Sequence, residues 1–204
     1  YLTDVIKISA GTNHVLALTK NGEVYAWGKN EKGQLGIGNN EKTTYATKVT
    51  GEGGTSTLKR IVDISAGEEG STAINEFGWF YVWGNGTNGE FGNGGTTSSN
   101  VPVKTVVNHG ISATIGEGHV IAQGQNVKLY TWGKNNAGQL GTGNTTNNTI
   151  VGKIADGITD ITAGGNQTIV KDIEGNIYGT GQNTNGELGI GTNENVTTLT
   201  KITI

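Results

Sequence analysis

The chain has 204 residues, with 36 Gly, 1 Pro, no Cys and no Met, and a net charge of −3 from 14 basic and 17 acidic residues. The missing cysteine rules out a disulfide framework, a thiolate nucleophile and a Cys-ligated zinc. The mildly acidic balance argues against a broad phosphate-binding surface, and hence against nucleic acid. No apolar run is long enough to span a membrane, and no signal peptide is visible. Opening on Tyr1 rather than Met is expected of a segment processed or excised from something longer.

Taken in order, the first elements read as short strands. Ile6 and Ile8 alternate with polar residues, and 14–19 is a compact apolar run. Asn21 and Gly22 predict a two-residue type I′ hairpin turn, with positive φ at both. A third strand follows over 24–27, then a Gly-rich loop, then a fourth candidate over 45–49. No helical period occurs.

This unit then repeats. YAWG at 25–28 returns as YVWG at 81–84, YTWG at 130–133 and YGTG at 178–181. The aromatic–glycine pairs are Trp27 and Gly28, Trp83 and Gly84, Trp132 and Gly133, with Thr180 in place of the fourth Trp. Six residues beyond each comes a glycine triplet: Gly33, Gly36 and Gly38; Gly89, Gly92 and Gly94; Gly138, Gly141 and Gly143; Gly186, Gly189 and Gly191. The first glycine steps by 56, 49 and 48 residues, the longer step being absorbed by a turn-rich stretch at 51–57. The expectation is one all-β domain over 1–204, with copies at about 4–50, 58–107, 109–155 and 157–204. Four antiparallel strands per copy is the pattern of a β-propeller blade, with a β-solenoid as the structural alternative. Copy three lacks the hairpin glycine and carries Asn126 and Val127 there, so its turn is expected to be reshaped.

Aligning the copies gives four readings of each position. The third residue after the Trp is Asn30, Gly86, Asn135 or Asn183, a set that predicts positive φ. The paired glycines are expected to serve tight turns and close approach between blades. A phosphate-binding role fails because such glycines lead into a helix, and these lead into loop and strand. Gln34 and Gln139 exchange with Glu90 and Glu187, which points to a side-chain oxygen accepting a hydrogen bond.

The string ISAGTNHVLAL at 8–18, GEVYAWG at 22–28, Asn30 and GQLGIG at 33–38 resembles the regulator-of-chromosome-condensation repeat. The resemblance runs from about residue 4 to the end. It implies a propeller of four-stranded blades, commonly seven. With four copies, the chain would be a fragment of a ring, a closed four-blade ring, or a half completed by another copy. An open arc would leave blade edges free for self-association. In function the resemblance implies a protein-binding scaffold. Its alternatives are a guanine-nucleotide exchange factor for a small GTPase, as in the namesake, and an inhibitor of a bacterial hydrolase.

Candidate sites follow from where the copies disagree. His14 and His119 share one repeat position and are expected to be structural, bonded to backbone near the blade core. His109 has no partner histidine, and no Ser/His/Asp set repeats, so no catalytic residue, cofactor site or metal site is expected. Glu68, Glu69 and Glu117 fall in turns on the rim and form a candidate acidic patch, with Glu52 in the 51–57 stretch. Lys48, Lys104, Lys153 and Lys201 share a position, either as a basic ring or as edge-strand protection. Trp79, where the other copies have polar residues, is a candidate contact for a protein partner. The Thr/Asn-rich loops and the lack of Cys resemble a bacterial surface or secreted protein.

Overall fold

The computed structural model describes residues 1–107 and 109–203. Among the described residues, sixteen strands form four four-stranded antiparallel sheets. Blade 1 comprises β1 (Val5–Ala10), β2 (His14–Thr19), β3 (Val24–Gly28) and β4 (Thr43–Lys48). Blade 2 comprises β5 (Ile61–Ala66), β6 (Gly70–Asn75), β7 (Phe80–Gly84) and β8 (Ser99–Lys104). Blade 3 holds β9 (Gly110–Ile115), β10 (His119–Gly124), β11 (Lys128–Gly133) and β12 (Asn148–Ala155). Blade 4 holds β13 (Ile158–Gly164), β14 (Gln167–Asp172), β15 (Ile177–Gly181) and β16 (Val196–Lys201). The strands of each blade lie side by side in chain order, and packing runs from blade 1 to 2, 2 to 3 and 3 to 4. β1, β5, β9 and β13 pack on one another, so they are the inner strands around the axis.

The apolar cores lie between blades, not within them. Leu16, Leu18 and Val24 of blade 1 meet Ile64, Ala73 and Trp83 of blade 2. Ile74, Phe80 and Val82 then meet Ala113, Val120 and Trp132. A smaller core joins Ile121 and Leu129 to Ile158, Ile161 and Val170. Each blade therefore folds against its neighbour, as expected of an array whose units cannot bury both faces alone.

The glycine motif is what lets the blades close up. A Cβ at Gly36 would sit 2.7 Å from Trp83 Nε1, and one at Gly92 would sit 2.6 Å from Val151 Cγ2. The Trp indoles complete this joint, Trp83 Nε1 donating to the Gln34 carbonyl (2.9 Å) and Trp132 Nε1 to that of Glu90 (2.6 Å). In the degenerate fourth copy, Thr180 Oγ1 donates to the Gly138 carbonyl at 2.8 Å. Threonine thus keeps the donor toward the preceding blade and gives up the indole's apolar area.

Three local expectations are corrected. The 21–22 hairpin is not type I′, since only Gly22 has positive φ and its N–H closes a turn onto the Thr19 carbonyl. The same turn recurs at Asn75–Gly78 and Asp172–Gly175. In copy three the turn is reshaped into a short 3-10 segment with both Asn126 and Val127 at positive φ. The β-branched Val127 there stores strain of about 1–2 kcal/mol.

The second correction concerns Asn30, Asn135 and Asn183, none of which is among the residues with positive φ. They serve through their buried side chains. Asn30 Oδ1 accepts from Leu35 N–H, and Nδ2 donates to the carbonyls of Asn39 and Glu41, all at 2.9 Å. Asn135 and Asn183 repeat the pattern on Leu140, Asn144 and Thr146, and on Leu188, Thr192 and Glu194. In blade 2, Gly86 stands where a Cβ would meet the Thr97 carbonyl at 2.4 Å, so the loop packs into the space of the missing amide.

Third, the side-chain partners of the histidines are hydroxyls of the next blade, with the Gln167 backbone also close to His119. His14 Nε2 lies 2.8 Å from Ser71 Oγ, and His119 Nε2 lies 3.1 Å from Thr168 Oγ1. Both hydroxyls give their own proton to a carbonyl, of Gln34 and Gln139 respectively. Each imidazole is therefore the neutral Nε2–H tautomer, which leaves Nδ1 unprotonated and without a partner among the described residues. His109 shares a positive-φ position with Asp4, Arg60 and Gly157 at the entry to each blade.

Candidate interaction face

Antiparallel order sends alternate turns to opposite ends of the blades. The first-to-second-strand turns and the Gly-rich loops lie on one face, called upper here. The hairpins and the links between blades lie on the other. At the inner end of the upper face, four equivalent turns form the mouth of the axis, a concavity of about 470 Å³ lined by Gly11, Gly67, Glu68, Gly116, Glu117 and Gly165. Backbone bonds tie these turns into a chain: Thr12 N–H to Gly67 O (3.2 Å), Glu68 N–H to Gly116 O (3.4 Å), and Glu117 N–H to Gly165 O (2.7 Å). The glycines follow from that contact, because a Cβ at Gly67 would be 2.5 Å from the Gly116 carbonyl.

A smaller cleft of about 160 Å³ opens from this mouth between blades 2 and 3, lined by Glu69, Asn85, Asn88, Glu90, Glu117 and Lys134. It exists because of one position where the copies carry Asn13, Glu69, Gly118 and Asn166. Between blades 3 and 4, Asn166 fills the space and bonds Gln139 Nε2 (2.9 Å) and Glu117 Oε2 (2.7 Å). Between blades 2 and 3 the side chain is absent at Gly118, and its backbone faces Glu90.

Glu90 does what its Gln counterparts do. Its Oε2 accepts from Asn88 N–H at 2.8 Å, as Gln34, Gln139 and Glu187 accept from Lys32, Ala137 and Asn185. Glu90 is buried, and that burial pushes its carboxyl above the ordinary Glu range against the pull of the Asn88 hydrogen bonds. Lys134 pairs with Glu117, and Lys29 lies 3.5 Å from Glu69. Glu68 is exposed and forms no ion pair among the described residues.

The acidic candidates therefore divide. Glu68, Glu69 and Glu117 converge on the upper face and are joined there by Glu90. The Gln/Glu exchange marks Glu90 in the sequence, but its cleft depends on a glycine one blade away. Glu52 and Trp79 lie at the opposite end of the blades. Glu52 begins a short 3-10 turn after β4, and its charge, after desolvation, helps raise the Tyr81 phenol. Trp79 is half-exposed, with the Lys104 ammonium over its ring. All four lysines sit on the outer edge strands, each directly opposite a tyrosine: Tyr25–Lys48, Tyr81–Lys104, Tyr130–Lys153 and Tyr178–Lys201. Lys48 also pairs with Glu23 and Lys153 with Asp156.

Sequence-family models described as the "Regulator of chromosome condensation (RCC1) repeat" match residues 5–34 and, in a second form, 21–74 and 128–170, together more than half of the chain. The chain belongs to the RCC1 repeat family. Among curated RCC1-type relatives, the ultraviolet-B receptor UVR8 of Arabidopsis thaliana is 35% identical over 127 residues, covering 61% of this chain and 28% of the receptor. The canine X-linked retinitis pigmentosa GTPase regulator is 34% identical over 108 residues, 52% of this chain and 10% of that protein. The chain thus spans less than a third of the length of either. Among solved structures, human WBSCR16 superimposes with a TM-score of 0.88 at 23% identity, covering 98% of this chain and 53% of that one. Yeast RCC1 (Prp20), solved bound to Kap60, gives 0.86 at 20% identity, covering 100% and 50%. These likenesses establish the fold: the RCC1 repeats here form an arc of four propeller blades.

Proposed function

We propose that the chain is a non-catalytic protein-interaction scaffold whose upper face receives a basic segment of a partner protein. The observation that carries this reading is the convergence of Glu68, Glu69, Glu90 and Glu117 on the axial mouth and its side cleft, against two lysines. The cleft is of a size to take one cationic side chain, and rim carboxylates steer its approach. The other buried polar groups, in contrast, are committed to joining blades or to holding the Gly-rich loop of their own blade. Trp79 faces the other way and its ring is partly covered, which fits packing at that end better than capture.

The test is capture of basic proteins from extract on immobilised chain, at low and high salt. Glu68→Lys is expected to weaken capture about tenfold, with the loss largest at low salt. Trp79→Ala is expected to leave it unchanged and to cost no more than about 1 kcal/mol of stability. Capture that survives Glu68→Lys and is lost in Trp79→Ala would move the site to the lower face.

A second reading, nucleotide exchange on a small GTPase, is favoured by two names: the canine GTPase regulator and a yeast Prp20p structure described with its binding to Gsp1p and histones. Nucleotide release from a panel of GTPases, accelerated by this chain above the intrinsic rate, would establish that reading in place of the scaffold.

A further inference from the structure

The three joints treat one position in three ways, and the middle joint, with blades on both sides of it, leaves that position open. Between blades 3 and 4, Asn166 is an inserted amide. Its Oδ1 accepts from Gln139 Nε2 at 2.9 Å and its Nδ2 donates to Glu117 Oε2 at 2.7 Å. Between blades 1 and 2 the residue is Glu69, which turns away to Asn85 Nδ2 at 3.2 Å and lines the next cleft. The buried Gln34 Nε2 is left without a partner among the described residues. Between blades 2 and 3 the residue is Gly118. The two groups that an amide there would join are Glu90, in place of Gln139, and Glu68, in place of Glu117.

The exchange changes what fits. In the filled joint the occupant meets one donor and one acceptor, which is what an amide offers. In the open joint it meets two carboxylates, so the matching group carries donors only. Glu90 is 1% exposed, and both of its hydrogen bonds come from Asn88. Burial disfavours its charge, and a cation brought beside it restores that charge. A metal ion is a poor match, because no three acidic or histidine side chains among the described residues come close enough to hold one. Between the two cationic side chains, Asn88 decides. Its N–H on Oε2 and its Nδ2 on Oε1, both at 2.8 Å, already take the fork of the carboxylate. That fork is what a planar guanidinium binds best. The oxygen facing the open position is Oε1, 3.2 Å from where a Gly118 Cβ would stand. Its remaining lone pair suits a compact ammonium with three rotatable donors. The cleft's own Lys134 is engaged by Glu117.

Resting on the reading that the upper face receives a basic segment, we propose that one lysine anchors that segment, its ammonium standing between blades 2 and 3 where the Asn166 amide stands between blades 3 and 4. The ammonium donates to Glu90 Oε1 and to Glu68, and the site selects lysine over arginine.

Fluorescence anisotropy with labelled octalysine and octa-arginine, on the intact chain at physiological ionic strength, tests the anchor. Octalysine is expected to bind about fivefold tighter. Glu90→Gln should weaken octalysine about tenfold and octa-arginine no more than about twofold, which erases the preference. This variant restores the residue of copies one and three, whose side-chain oxygen takes the same backbone N–H, so its melting temperature should be no lower than wild type. Glu68→Gln, at the exposed end of the site, should shrink the preference without touching the fold. Glu187→Gln removes one charge at the repeat position of Glu90 in blade 4, outside this cleft, and should keep the preference. Equal binding of the two peptides, weakened alike by Glu68→Lys, overturns the lysine anchor and leaves the upper-face reading standing. Binding of neither peptide overturns both. A preference that survives Glu90→Gln, or that Glu187→Gln removes as fully, also overturns the anchor.

Discussion

Replacing Trp132 with alanine is expected to lower the unfolding free energy by about 3–5 kcal/mol. The side chain is fully buried between blades 2 and 3, so the deletion opens a cavity in the joint and orphans the Glu90 carbonyl that its Nε1 satisfies. Trp27→Ala is the internal control. The same repeat position there is half-buried, with no blade before it among the described residues, and should cost less than half as much in urea melts of the same 204-residue chain. Equal losses at the two sites would mean that the tryptophan stabilises its own sheet and not the joint.

Acidification is expected to unfold the chain through His14 and His119. Burial lowers both pKa values from 6.5 to about 4, and protonation would place a second N–H at Nδ1, which has no acceptor among the described residues. Around His119, Lys134 adds to the lowering, while the Gln167 backbone and Glu117 oppose it. Because the folded pKa lies below the unfolded one, the unfolded chain binds the extra proton first. The stabilisation is full above about pH 6.5 and is lost as pH falls toward 4, up to about 3 kcal/mol for each histidine. Denaturant melts at pH 7.5 and 4.5 measure this. The pair His14→Gln and His119→Gln, using the residue that copy four carries as Gln167, should flatten the profile between those two values. A profile equally steep in the double variant would assign the acid loss to the carboxylates.

Much of this architecture was legible because the chain states its design four times. Period, strand order, interblade glycines and the Gln/Glu oxygen acceptors all follow from comparing copies, since each reports a contact made the same way at every joint. The errors came where composition admits two mechanisms. Asn30, Gly86, Asn135 and Asn183 read as a positive-φ position because Gly and Asn share that property. The asparagines are present for a buried amide, and the glycine for a loop that has closed over its absence. Asn21 and Gly22 likewise permit the type I′ turn, but the longer turn onto Thr19 is the one formed. The cleft at Glu90 was out of reach for a different reason. It is made by a missing side chain at Gly118, and an absence becomes a space only when the neighbouring blade is in place.

The asparagine clamps also bear on how such a protein can change. The Gly-rich loop is anchored at fixed offsets, and it spans the same number of residues in every blade, from Gly28, Gly84, Gly133 and Gly181 to their partners Thr43, Ser99, Asn148 and Val196. An insertion there would break buried amide bonds and misplace the glycines that seat the next blade. The extra residues at 51–57 fall on the lower face, in a link between blades that no buried asparagine clamps among the described residues. New specificity on the upper face therefore has to come by exchanging side chains on a loop of constant length, while the lower face is free to evolve by growth.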